Sequence, residues 1–282
     1  MRSILAEGAA LSEPSGGTGR STVDPVTGDV SLLGLLASSV LIVVATVLSI
    51  WLGLGLERDI LWAALRAVVQ LFAVGIVLAY LLEPGRSVWW SVVWVTLMVL
   101  FAGDVVGRRA PEIPRARLLG IVAFAAVSLV SFGVLFGLQV FPLEPRTLVP
   151  LAGMTIGNSM TATVLVGKRI IAEFTEKRAQ VEGALALGMT GSEAFRPFLR
   201  SSVSTALIPQ IETTKAVGIV FLPGAMTGLI LAGVAPLDAV LVQMVVMFLV
   251  LGSVAVATTV VAVGLSRMLF TPDQRAVHLD ER

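Results

Sequence analysis

The sequence predicts an all-α polytopic membrane protein with seven transmembrane helices, N-terminus outside and C-terminus inside. Three observations predict it. The 282 residues are 56% hydrophobic and only 14% charged, with mean hydropathy +0.93, whereas soluble domains carry about 25% charged residues. Apolar stretches long enough for a helix to cross the hydrocarbon, roughly 20 residues, recur along the chain. The Lys and Arg residues are shared very unevenly between the connecting segments.

Composition also excludes several classes of chemistry. The net charge is +1 and gives no support for a nucleic-acid partner. There is no cysteine, so disulfides, thiolate metal sites and cysteine nucleophiles are ruled out. The single histidine, His278, lies in the polar C-terminal tail, which removes Ser-His-Asp catalysis and HExxH proteases. No pair of buried acids marks an intramembrane enzyme.

Residues 1–29 are rich in Gly, Ser, Pro and acids and lack the pattern of a signal peptide, so a disordered extracytoplasmic tail is expected. The transmembrane domain is expected over 30–267. Its spans are expected at about 30–56, 60–82, 87–103, 118–141, 147–167, 216–235 and 239–266. Glu83-Pro84-Gly85-Arg86 reads as a tight turn. Trp89, Trp90 and Trp94 open the third span, where indoles favour the membrane interface. A cytoplasmic tail follows over 268–282. With the N-terminus outside, fifteen Lys and Arg fall on inner segments and four on outer ones, with Arg66 inside a span. The chain therefore reads as multi-pass in the cell membrane.

The exception to this apolar pattern is 168–215, which carries seven of the twenty Lys and Arg residues. It reads as a cytoplasmic helix-turn-helix. Residues 170–187 suggest a two-sided helix, with Glu173 and Lys177 in the favourable i, i+4 order. Gly188 is a natural stop, because glycine tolerates the left-handed conformation. Thr190 and Glu193 have the spacing of a capping box, so a second helix should start near 191. Pro197 is expected to bend that helix and Pro209 to break it.

The run Glu182-Gly183-Ala184-Leu185-Ala186-Leu187-Gly188 resembles the EAAxxxG signature of ATP-binding-cassette importer permeases. It departs from that signature in having Gly183 for an alanine and no proline at the usual following place. The runs 157–169, 173–197, 206–233 and 242–253, and Arg66 to Leu71, are similar to the permease family typified by the bacterial Fet iron exporter. The resemblance covers about 35–275. It implies a permease energised by a separate ATP-binding-cassette ATPase, two copies of each subunit, and export of iron. ATP would be used by the partner, because no P-loop sequence is present. The expected docking residues are Glu182, Gly183, Ala184, Gly188, Thr190, Glu193 and Arg196. No cofactor is expected in this chain, and lipid surrounds it.

For a transport path or gate the sequence offers Arg66, Gln70, Met154, Asn158, Met160, Thr161, Pro223 and Met226. Arg66 and Gln70 sit one turn apart in the second span, where Arg66 could instead be an anchor bonded to a carbonyl, Glu57 or Asp59. Asn158, Ser159, Thr161 and Thr163 make the fifth span unusually polar. Gly153/Gly157 and Gly224/Gly228 offer small-xxx-small faces for helix packing. No metal ligand set is assigned, since methionine suits softer metals than Fe(III). The competing class is an ion-coupled secondary transporter, which usually places ionisable groups near the midplane.

Overall fold

The computed structural model describes residues 32–83, 85–220 and 222–277; the expected N-terminal tail 1–29 and His278 lie outside them. Regular structure among the described residues is helical, with an isolated bridge between Phe270 and Ala276 after the last helix. The helices are α1 (Leu32–Trp51), α2 (Glu57–Leu81), α3 (Val88–Arg109), α4 (Ala116–Gly137) and α5 (Pro145–Glu176). They are followed by α6 (Arg178–Ala186), α7 (Gly191–Ala216), α8 (Gly224–Leu231) and α9 (Pro236–Met268). Five of them (α2, α3, α4, α5 and α9) are long and apolar enough to cross a membrane. The chain is a multi-pass membrane protein.

Helices α3, α4, α5, α7 and α9 form one bundle, with α5 and α9 at its centre. Helices α1 and α2 pack chiefly on each other, and none of the apolar window of α2 is buried. Helices of 32 and 33 residues measure about 48–50 Å at 1.5 Å per residue, well beyond a hydrocarbon core of about 30 Å. Both α5 and α9 therefore project beyond the bilayer.

Two boundaries differ from the sequence expectation. The helix that holds the expected third span does not stop at 103. It runs to Arg109, because Asp104 is neutralised within the bundle by Arg108 and Arg117, each at 2.7 Å. The connection to α4 is correspondingly short, and it is pinned to α5. Ile113 fills the notch left by Gly167, and Lys168 pairs with Glu112 at 3.3 Å.

The second difference concerns 216–235, which is not one helix. Helix α7 ends at Ala216, Gly218 takes φ +87, and the chain restarts only as the eight-residue α8. Pro223 has no N–H to donate and caps α8 instead of continuing a span. The element packed against α5 and α9 at this place is α7. It runs straight through Pro209, where a break was expected.

Close helix packing also lies elsewhere than expected. A Cβ added to Gly157, Gly224 or Gly228 would meet nothing within 4 Å, and one on Gly153 only Met98 at 3.6 Å. The tight contact is between α3 and α4. A Cβ on Gly103 would meet the Ile121 nitrogen at 3.0 Å and the Arg117 carbonyl at 3.1 Å, both backbone atoms that cannot give way. One on Gly107 would meet the Arg117 Cβ at 3.1 Å, and one on Gly120 the Gly103 Cα at 3.1 Å. Gly103 and Gly107 are thus the small-xxx-small pair that lets two backbones touch.

This packing predicts that Gly103→Ala destabilises the detergent-purified protein by about 1–3 kcal/mol through overpacking. Gly133→Ala, on α4 with open space around it, should be neutral or slightly stabilising. Thermal unfolding of the two variants checks this, and equal midpoints would refute the close-contact assignment.

Candidate functional site

The stretch 168–215 is not a loop with one continuous first helix. Helix α5 ends at Glu176, Lys177 takes φ −100 and ψ 16, and α6 starts at Arg178. The Glu173–Lys177 pair therefore does not form. Glu173 is held by Arg169 at 2.6 Å, and Lys177 lies 3.4 Å from Glu176. Helix α6 buries Val181 completely and half-buries Ala184 and Leu185, while Glu182, Gly183, Ala186 and Leu187 face outward. Arg178 holds Glu182 at 2.7 Å, fixing the orientation of an exposed carboxylate.

The turn after α6 has a defined shape. The Met189 N–H reaches the Ala184 carbonyl at 3.2 Å and the Gly188 N–H reaches Leu185 at 3.0 Å. This is the Schellman arrangement, with Gly188 left-handed at φ +89. It leaves Leu187 86% exposed at the tip. Helix α7 then starts on the expected capping box. The Glu193 carboxylate accepts from the Thr190 N–H at 3.0 Å and hydroxyl at 2.7 Å, while the Glu193 N–H donates to the Thr190 hydroxyl oxygen at 3.4 Å. The backbone bond and then the hydroxyl bond hold the Glu193 carboxyl below the usual carboxylate range. Arg196 is exposed one turn further on.

What the sequence reading missed is the clamp behind this turn. The ring of Phe270, just past α9, lies against Gly191, so that any Cβ there would meet it at 2.5 Å. Phe270 also meets Phe174 edge-on at 5.7 Å, and Phe174 meets Phe195 at 5.5 Å. The segment after α9, expected as a plain tail, turns back on itself. Gln274 is left-handed at φ 58, and its side-chain oxygen accepts the Gly191 N–H at 2.7 Å. An otherwise orphan donor at the start of α7 is thereby satisfied from the far end of the chain. A phenylalanine directly after an apolar span was the available signal.

The residues suggested for a transport path do not converge on one place. Asn158 and Thr161 line a cavity of about 220 Å³ between α5 and α7, together with Pro209, Gln210 and Thr213. Arg66, Gln70 and Met160 line a second cavity of about 590 Å³ between α2, α3 and α5, with Arg108, Arg109 and Phe101. Gly157 belongs to both walls. Arg66 pairs with neither Glu57 nor Asp59 among the described residues. Met154 packs into the core against the Leu135 cluster, and Pro223 and Met226 line neither cavity. Ser159 and Thr163 turn inward and are buried. Among the described residues, no three His, Cys, Asp or Glu side chains are grouped to hold a metal ion.

Comparison with known proteins adds a family. The model of the "Uncharacterised protein family (UPF0014)" matches residues 32–270. The "UPF0014 membrane protein STAR2" of Oryza sativa subsp. japonica is 38% identical over 229 residues, covering 81% of this chain and 80% of that protein. "Protein ALUMINUM SENSITIVE 3" of Arabidopsis thaliana is 34% identical, covering 79% and 81%. The "Probable iron export permease protein FetB" of Escherichia coli strain K12 is 35% identical over 228 residues, covering 78% and 85%. No solved structure matches.

Removal of the clamp should loosen the turn locally. Gln274→Ala is expected to raise hydrogen exchange at 191–194 about fivefold, since a net hydrogen bond contributes roughly 1 kcal/mol. The cap has its own signature. A carboxyl held low stabilises fully above its unfolded range and loses that contribution as pH falls through the folded value. Protection at 191–194, corrected for intrinsic exchange, should therefore drop on acidification, and Glu193→Gln should abolish that drop. An unchanged drop in the variant would assign it to another group.

Proposed function

The chain belongs to the UPF0014 family, and on that premise we propose that it is the permease subunit of an ATP-binding-cassette transporter that exports iron or a related metal ion. A separate cytoplasmic ATPase subunit supplies the energy and uses the ATP. Seven crossings fit this reading: α1 to α5, α7 and α9, with the N-terminus outside and the C-terminus inside. The sixth crossing is then α7, not 216–235.

The observation that carries the proposal is the rigid, outward-facing turn from α6 into α7. Leu187 projects from its tip, Glu182 is pre-oriented beside it, and Gly183 leaves one side of α6 without a side chain. A short helix with an apolar tip and a fixed acid suits the cleft of a partner, because ordering costs are already met. Behind the turn, α7 runs without interruption along α5 and past Asn158 and Thr161. Movement of the docked turn is therefore passed to the cavity wall as a rigid body. The oxygen and amide donors there suit a hard ion in transit better than a thioether does. A single copy offers one docking turn, so two copies pair with two ATPases.

The full chain, co-expressed with its ATPase subunit, should retain that subunit through purification. Leu187→Glu should weaken retention about tenfold or more, as loss of a central anchor costs roughly 2 kcal/mol. Changing Gly188 or Glu182 should weaken it as well. Vesicles holding both subunits should move iron only with ATP, and the chain alone should hydrolyse none. Transport that persists without the ATPase and follows a proton gradient would overturn the proposal in favour of an ion-coupled carrier.

A further inference from the structure

The larger cavity has a chemistry that the transport reading does not use. Its wall carries Arg66, Arg108 and Arg109 and no acidic side chain. Arg108 is tied to Asp104 at 2.7 Å, but that carboxylate is shared with Arg117 at the same distance. Arg66 and Arg109 make no ion pair among the described residues. Unpaired arginines beside membrane-spanning helices are costly, and an occupant that brings negative charge removes the cost.

The lining also combines charge with apolar surface. On α3, Arg108 and Arg109 stand at the end nearest the docking turn, where Ala110 and Ile113 share a core with Val181 of α6. Arg66 and Gln70, one turn apart on α2, line the same cavity. Phe101 and Met98 follow on the same face of α3, two to three turns deeper. The cavity therefore sets three guanidinium groups beside apolar surface. The side of the cavity is formed by α2, which buries none of its apolar window and packs chiefly on α1. That side faces the bilayer.

We propose that this cavity binds an anionic phospholipid from the leaflet on the docking-turn side. Arg66 and Arg109 hold its phosphate, Arg108 stands beside it, and Gln70 donates to a glycerol or ester oxygen. The acyl chains lie along Phe101 and Met98. A guanidinium pair recognises phosphate through charge-assisted hydrogen bonds. A zwitterionic headgroup would bring its cation toward three arginines and is disfavoured. The lipid wedges the α1–α2 hairpin against the bundle at the flank of α5 opposite Asn158.

The test is native mass spectrometry of the detergent-purified full chain, titrated with phosphatidylglycerol or phosphatidylcholine of matched acyl chains. Phosphatidylglycerol should be retained with at least about tenfold preference. Arg66→Gln and Arg109→Gln should each cut that preference about fivefold, corresponding to roughly 1 kcal/mol per basic residue at an anionic surface. Arg66→Lys should keep most of it. Arg146→Gln, at the start of α5 away from the cavity, should leave it unchanged. Equal retention of the two lipids by the unaltered protein would overturn the proposal without any variant. So would a preference insensitive to both arginine changes in protein that still elutes as a single species. Full displacement of the lipid by millimolar inorganic phosphate would also overturn it, identifying a site for soluble phosphate. None of these readings depends on the ATPase subunit, so they stand apart from the test of transport.

Discussion

The packing of the Phe270 ring on the bare backbone of Gly191 holds the working end of this protein together. Phe270 closes α9, Gly191 opens α7, and Phe174 from the end of α5 meets the same ring. Helices α5, α7 and α9 are thus tied to one another at one place. A side chain as small as methyl at 191 would push the ring away. Helix α6 rests on this knot through Val181, which shares the buried cluster with Phe174, Phe195 and Leu269. The exposed turn can be shaped and aimed only because its inner side is packed so densely.

Local features of the turn were legible in the sequence, because each is written in a few neighbouring residues. The Gly188 stop and the Thr190/Glu193 cap need only their own spacing, and both form as expected. The clamp is different in kind. Gln274 lies 83 residues from Gly191, and nothing near either residue announces the other. The same limit explains the glycines. Spacing identifies faces on which helices could approach, but not which face meets a neighbour. Gly103 and Gly107 meet α4, while Gly224 and Gly228 meet open space. The stretch 216–235 reads as one helix because apolar content outweighs Gly218 and Pro223 as punctuation, yet α7 ends at Ala216 and α8 starts at Gly224.

Helical geometry also separates the transport candidates. Asn158 and Met160 are two residues apart and so point about 200° apart around α5. They line different cavities on its two flanks, with Gly157 between them. A cluster that looks compact in sequence is thus divided into a polar flank toward α7 and a cationic flank toward α2. Two environments of different character are thus separated by one helix.

The long reach of the Gln274 contact sets an order of events during synthesis. Helix α7 can begin to form as soon as Thr190 and Glu193 are made, but its first N–H must wait for residue 274. At about 5–20 residues per second, that wait is roughly 4–17 seconds. Until then the turn has its cap but lacks its backstop. A chain truncated before residue 274 would therefore carry the same long helices with the Gly191 N–H unsatisfied. The start of α7 is thus completed by a residue made well after it.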